Sequence, residues 1–369
     1  MVKYPADWKQ GKLKDFAIIN PKSDLPFSFT YVDLEAVKGI SLINPRKETQ
    51  RTAPSRARRV ALKGDIFFQT VRPYQRNNYL FNLNGDYVFS TGYAQIRAKI
   101  DPNFLFILLR QERFVSAVLD NCTGTSYPAI NPSRLSRIQI CIPSMLNEQK
   151  AIADTISTFD TYISNLTELI EKKKAIREGA LEDLVSGKTR LEGFNGEWKD
   201  GTIGDLLTIM HGKNQKDVEV FNGKYPILGT GGIIGRTNDY LCNWECVLIG
   251  RKGTIDQPMY MDSPFWSIDT LYFSKPVDNY QCVKFQYYLF CRIPWYDYTE
   301  SSGRPSLAKK VVESIAIKIP PVEEQQAIAN TLTAMDDEIR NLETELDKMK
   351  QIREGAMDDL LTGRIRLPL

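Results

Sequence analysis

Residues 148–191 read EQKAIADTISTFDTYISNLTELIEKKKAIREGALEDLVSGKTRL, and residues 324–367 read EQQAIANTLTAMDDEIRNLETELDKMKQIREGAMDDLLTGRIRL. Half of the paired positions are identical and no gap is needed to align them. An internal repeat of this kind fixes the architecture before any single motif does. In the first copy Ile152, Ile156, Phe159, Ile163, Leu166 and Ile170 follow spacings of four and three. In the second copy Ile328, Leu332, Met335, Ile339, Leu342, Leu346 and Met349 do the same. That is a heptad seam, through which one helix buries a stripe against another. A proline precedes each copy, and Gly187 or Gly363 follows it as a stop signal. About 37 residues at about 1.5 Å each predict roughly 55 Å of helix.

The duplication extends outward from the helices. Trp8-Lys9-Gln10-Gly11 is echoed by Trp198-Lys199-Asp200-Gly201, each opening a globular block. Each block closes on an alternating strand that leads to proline: Ile138, Ile140 and Ile142 before Pro143, and Ile315, Ile317 and Ile319 before Pro320. Inside the first block Asp101 can cap a helix from Pro102 that carries Phe104, Ile107, Leu108, Phe114 and Val118. Asp278 or Asn279 can cap its counterpart, with Cys282, Phe285, Tyr288 and Leu289. The remainder reads as short strands and Gly-rich turns. The expected fold class is α+β: mixed domains at 1–142 and 198–320, and helical segments at 143–197 and 321–369. Connectivity favours two long antiparallel helices forming a coiled coil, with the C-terminus returning to the first domain. The result is a near-circular, pseudo-two-fold arrangement. A head-to-tail dimer using the same seams is the competing arrangement.

Composition narrows the function. The fractions of hydrophobic (42%) and charged (25%) residues are those of ordinary globular domains. No apolar run suggests a membrane span or signal peptide. Six cysteines without a CxxC pair read as thiols of a reducing, cytoplasmic compartment. A single histidine, His211, excludes HExxH zinc sites and most histidine-dependent triads, and is read as structural or solvent-exposed. The modest net charge of +3 hides an asymmetry. Residues 1–142 hold 21 Lys and Arg against 11 Asp and Glu, whereas residues 321–369 hold 6 against 11. Such a division suits a polyanion on one surface and protein on another.

Catalytic motifs fail in detail. Gly187-Lys188-Thr189 resembles the end of a phosphate loop, but Glu182 stands where its first glycine belongs. Gly229–Gly235 has Ile234 in the third glycine position of GxGxxG and reads as a turn. Asp336-Asp337-Glu338 is expected on the solvated side of a heptad helix. No metal ligands or catalytic residues are assigned.

Nucleic-acid signals are stronger. Residues 44–59 read as a loop with six basic residues, Arg46, Lys47, Arg51, Arg56, Arg58 and Arg59, against one acidic. Arg72-Pro73-Tyr74-Gln75-Arg76-Asn77-Asn78-Tyr79 interleaves guanidinium, amide and aromatic groups, which can fork onto phosphate or guanine edges, bond adenine, and stack. In the second block the candidates are Lys213, Asn214, Gln215 and Lys216, then Arg251, Lys252 and Arg304. Two related domains on a two-fold frame can address two half-sites of duplex DNA.

This plan of variable domain, repeated helix, variable domain, repeated helix resembles the specificity subunit of type I restriction-modification systems. The markers are Trp8 to Gly11 and Trp198 to Gly201, Ile249-Gly250-Arg251-Lys252-Gly253-Thr254, and Gly303-Arg304-Pro305-Ser306-Leu307. The strand-Pro-x-x-Glu-Gln approach to each helix and the Ile-Arg-Glu-Gly-Ala runs at 176–180 and 352–356 belong with them. The resemblance covers essentially the whole chain. Two departures stand in the first domain: Gln69-Thr70-Val71-Arg72-Pro73 in place of the Gly-Arg-Lys-Gly run, and Gly124–Ile130, with Ser126 and Tyr127, opposite Gly303–Leu307.

The resemblance implies a non-catalytic scaffold with two target recognition domains, each reading half of an asymmetric bipartite site in double-stranded DNA. It implies two partner modification (methyltransferase) subunits that carry S-adenosylmethionine and methylate adenine at N6. It also implies restriction subunits that use ATP and Mg for cleavage. No cofactor is expected in this chain. Two other readings stay open: a fragment of a fused restriction or modification enzyme, and a coiled-coil protein adaptor without DNA binding.

Overall fold

The computed structural model of the chain describes residues 3–124, 126–278, 281–299 and 303–368. Both repeated segments are continuous helices, Leu146–Ser186 and Val322–Thr362, of 41 residues each. They are longer than expected because each starts ahead of its Glu-Gln pair and runs to the glycine. Gly187 has φ +73° and Gly363 φ +67°, the left-handed geometry that a Cβ disfavours at a helix end. A Cβ on Gly187 would stand 3.0 Å from the Trp198 ring. One on Gly363 would stand 2.4 Å from Pro5 and 3.2 Å from the Trp8 ring. The two sequence landmarks of each copy, helix stop and opening tryptophan, therefore touch.

The chain forms two compact units: Met1–Leu166 with Glu345–Leu369, and Thr167–Thr344. Each unit takes a segment from both long helices. In the first unit, the strand Lys9–Lys12 pairs antiparallel with Gln139–Ile142. A four-stranded antiparallel sheet runs Ala17–Ile19, Tyr93–Ala98, Asp65–Gln69, Tyr79–Leu80. A second sheet runs Arg46–Thr49, Ser28–Val32, Tyr87–Ser90, Ala57–Val60. Asp101 caps its helix as expected, accepting the Phe104 N–H at 2.9 Å. The expected single helix is two, Pro102–Arg110 and Glu112–Asp120, because Gln111 between them is extended (ψ 140°). The first of the pair is buried nearly all round and the second only on one face, so a straight helix would not serve both.

The second unit repeats this frame. Lys199–Thr202 pairs with Ala316–Ile319, and an equivalent sheet runs Leu207–His211, Leu271–Pro276, Cys246–Gly250, Met259–Met261. Its other sheet differs: the hairpin Tyr225–Gly229 and Gly232–Thr237 is joined by Trp266–Ser267. The glycine run is thus part of a hairpin: Thr230 and Gly231 make the turn, and Gly229 and Gly232–Gly235 lie in the strands. The helix Val283–Arg292 begins after Cys282, not at Asp278; Asn279 lies outside the described residues. The Cys282 N–H is accepted by the Gln325 side chain at 3.3 Å, just as the Asp101 N–H is accepted by Gln149 at 3.1 Å.

The helices complete both cores. In the first unit Ile152 and Ile156 join Met357, Leu360 and Leu361 around Trp8, Leu13 and Leu105. In the second, Leu181, Leu184 and Val185 join Ile328 and Leu332 around Phe285, Tyr288 and Leu289. Polar partners show antiparallel pairing within each unit. In the first, Glu148 meets Arg366 and Asp160 meets Arg353. In the second, Glu324 meets Arg190 and Asp336 meets Arg177. These are the same repeat positions in both units. Asp336 is therefore not a solvated residue: it also accepts the Tyr288 hydroxyl at 2.8 Å. The repeated Glu-Gln motif now has a physical reason, since its Glu is almost fully buried in both copies and clamped by an Arg fork.

The seam is buried at Ile152, Ile156, Leu166, Ile170, Ile328, Leu332 and Ile339. Phe159, Ile163, Met335, Leu342, Leu346 and Met349 are only half-buried.

Candidate nucleic-acid interface

In each unit a fully buried strand of the main sheet ends at a basic loop, and a second loop is bonded to it. In the first unit Asp65–Gln69 continues to Arg72, whose N–H donates to the Pro128 carbonyl at 2.7 Å. The Ile130 N–H donates to the Thr70 carbonyl at 2.9 Å, and Val71 bridges Ala129. In the second unit Cys246–Gly250 continues to Arg251-Lys252-Gly253. There the Gly253 N–H donates to Pro305 at 3.0 Å and the Leu307 N–H to Arg251 at 2.9 Å, while Lys252 bridges Ser306. The departures noted in the first domain are thus local: Gln69–Pro73 and Gly124–Ile130 occupy the places of Ile249–Thr254 and Gly303–Leu307. Thr125 lies outside the described residues.

The chemistry at the two loop pairs differs. The Arg72 guanidinium lies 4.2 Å from the centroid of the Tyr127 ring, which is itself 65% exposed. Tyr74 and Ser126 are exposed, and Arg76 is held by Glu112. Behind them Gln69 is buried: its Nε2 donates to Gln75 Oε1 at 2.8 Å and its Oε1 accepts the Asn77 N–H at 3.1 Å. In the second unit Arg251 lies over the Tyr272 ring at 5.9 Å and donates to the Asp269 carbonyl at 3.3 Å. Lys252 is exposed, and a Cβ on Gly253 would come within 3.4 Å of the Arg304 guanidinium.

The long basic segment is not a loop throughout. Arg46–Thr49 and Ala57–Val60 are the two edge strands of one sheet, so only the turn between them is irregular. Charged edge strands resist pairing with other chains, which gives these residues a structural role as well. Arg46 pairs with Asp33 and Glu48 and lies over Tyr31, and Lys47 donates to Thr30. A hydrogen bond from Thr52 and the charge of Arg46 hold the Glu48 carboxyl below the usual range. Arg59 is half-buried with an unpartnered Nε, and burial lowers its pKa. Arg51, Arg56 and Arg58 are exposed; Arg58 donates to the Ser55 carbonyl at 3.0 Å. In the second unit Lys213, Asn214 and Lys216 are exposed and Gln215 is half-buried. Trp266 fixes this loop by donating to the Lys213 carbonyl at 3.0 Å.

His211 ends a strand, exposed and edge-on to Tyr272. Among the described residues no group of three or more His, Cys, Asp or Glu could hold a metal. No described helix is long and apolar enough to cross a membrane. Gln75 and Asn77, amide residues of the stretch read as base-contacting, are both bonded to Gln69 at the strand end. That contact is legible only once the strand end and the turn are known to meet.

Two segments, residues 5–176 and 195–351, match the family model described as type I restriction modification DNA specificity domain. The chain belongs to this family of type I specificity subunits. Such a subunit recognises DNA sequence, and two specificity domains fit a bipartite target. The MjaIX specificity subunit of Methanocaldococcus jannaschii is 21% identical over 419 aligned positions, covering 99% of this chain and 95% of that one. Among solved structures, the HsdS subunit from Thermoanaerobacter tengcongensis matches with TM-score 0.57 and 22% identity, covering 98% of both chains. The S subunit from M. genitalium matches with TM-score 0.65 and 20% identity, covering 96% of both. At these identities the structures carry the fold, and the α+β class with it.

Proposed function

We propose that this specificity subunit reads an asymmetric bipartite sequence in duplex DNA, one half-site per globular domain, and does no chemistry itself. The observation that carries this is the recurrence of one construction, a buried strand feeding a basic loop braced by a second loop, with different side chains in each unit. A shared frame with divergent tips suits two half-sites of unlike sequence. Exposed Arg51, Arg56, Arg58, Lys213 and Lys216 supply phosphate contacts that set register, while the loop tips face base edges. The long helices serve as the spacer between half-sites. The same ion pairs recurring in both units support an antiparallel, pseudo-two-fold frame.

Two modification subunits bound to this frame, carrying S-adenosylmethionine, would methylate adenine at N6. Restriction subunits with ATP and Mg would add cleavage, and the assembly would work in the cytoplasm. The test is to exchange residues 198–320 for the same block of another family member and map methylated motifs in DNA modified by the assembled complex. One half-site changes and the other persists. A change in both half-sites defeats the division of labour.

A further inference from the structure

Arg72 and Arg76 are two of the three non-glycine residues with positive φ among those described, and they flank one short turn, Pro73–Gln75. Arg72 has φ 53° and ψ 55°. Left-handed backbone disfavours any residue with a Cβ, and a residue before proline is driven towards ψ of about 120–160°. Arg72 breaks both preferences. Strain of this kind persists only where the surroundings over-determine it, and it clusters at functional sites. Here the surroundings do so: the Arg72 N–H is tied to Pro128 at 2.7 Å and its guanidinium is stacked on Tyr127.

What the strain holds in place is a side chain with unused chemistry. Arg76 is engaged by Glu112, Arg97 by buried Asp65, and Arg46 by Asp33 and Glu48. The Arg72 side chain makes no hydrogen bond or ion pair to any described residue, so its five donors are left for a ligand. It borders a cavity of about 480 Å³ that is also lined by Leu34, Val37, Gln69, Gln75 and Tyr127. Gln69 donates to the side-chain oxygen of Gln75 and so fixes that amide. Glu35 and Lys38 also line the cleft, and its best-fixed donor group is the planar, forked guanidinium of Arg72.

We propose that Arg72 reads a guanine in the half-site of the first domain, its fork meeting O6 and N7, with Tyr127 and Gln69 as positioning residues. This rests on the DNA-recognition reading given above and names the residue that performs it. A guanidinium held over an aromatic ring suits a planar edge with two adjacent acceptors. By the backbone pairing of the two loops Arg72 stands where the second domain has Gly253, and Arg251 stands where the first has Thr70, so the second domain need not read the same base.

The test uses the full chain assembled with its modification subunits, acting on a DNA library with randomised half-sites, followed by single-molecule mapping of methylated adenines. With Arg72→Ala, guanine preference is lost by roughly ten- to hundredfold at one position of one half-site, while the other half-site is unchanged. Arg72→Lys, lacking the fork, does not restore it. Tyr127→Leu relaxes the same position and Tyr127→Phe does not, which guards against a misfolded Arg72 variant. The proposal is overturned if Arg72→Ala keeps the motif but weakens binding to all sequences alike and lowers the salt slope by about 1, the mark of a phosphate contact. A motif relaxed in both half-sites overturns it too. A wild-type complex that yields no bipartite motif instead refutes the recognition reading itself.

Discussion

Ile156→Ala removes three carbons from a side chain with no exposed surface, at the place where the first long helix completes the first core. At about 0.8 kcal/mol per carbon the transfer contribution is about 2.4 kcal/mol. The residual cavity among Trp8, Leu105 and Met357 raises the total to about 3–4 kcal/mol, within the range for such truncations. For a unit of this size each kcal/mol moves the melting midpoint by about 2–4 °C, so calorimetry of the purified chain reads a fall of roughly 6–16 °C. Leu332→Ala occupies the same repeat position in the second unit, is equally buried and also loses three carbons, so its fall is of the same size. Ile176→Ala lies on the same helix but is 60% exposed, and stays within about 0.5 kcal/mol of the parent. A fall below about 2 °C at both buried positions, or an equal fall at Ile176, would refute the claim that the helix ends are parts of the globular cores.

Other outcomes follow from the polar contacts. Asp160→Ala strands two largely buried guanidinium groups, Arg110 and Arg353, each 2.9 Å from its carboxylate. Urea unfolding is expected to show a loss of about 2–3 kcal/mol, below the 3–5 of a fully buried pair because water reaches this one. Burial pushes the Cys291 thiol up to about 11, against opposing contributions from Tyr287 and Arg177. Between pH 9 and 11 the folded state then holds a proton that the unfolded state releases, so stability falls as pH rises through that window. Cys291→Ala removes part of that fall in a pH series of melts, and an unchanged slope contradicts it. Alanine at Arg51 and Arg56 together reduces the salt slope of DNA binding by about 2 without altering the methylated motif. A changed motif would move these residues from phosphate to base.

The frame was legible because repetition averages out local ambiguity. Heptad spacing, the stops at Gly187 and Gly363, and the paired opening and closing strands were each written twice. The loop assigned to residues 44–59 was not legible, since edge strands are often charged and Arg46–Thr49 looks like a turn until Ser28–Val32 is beside it. Asp336 shows the same limit: a carboxylate on a helix gives no local sign that Arg177 and Tyr288 will reach it. The site was half-legible. Residue type selected Arg72 and Tyr127, but their stacking depends on two segments brought together only by the fold. Backbone strain at Arg72 leaves no trace in composition at all.

The first core includes Met357, Leu360 and Leu361, and Glu148 is clamped by Arg366. During synthesis the ribosome must therefore read through all of Thr167–Thr344 before the domain it made first can close. The second unit, continuous in sequence, has its entire complement of residues earlier. Vectorial folding would then run in the reverse of the usual N-terminal-first order. Until the final helix arrives, the nascent first domain carries an open apolar face, which makes it the natural client of a chaperone.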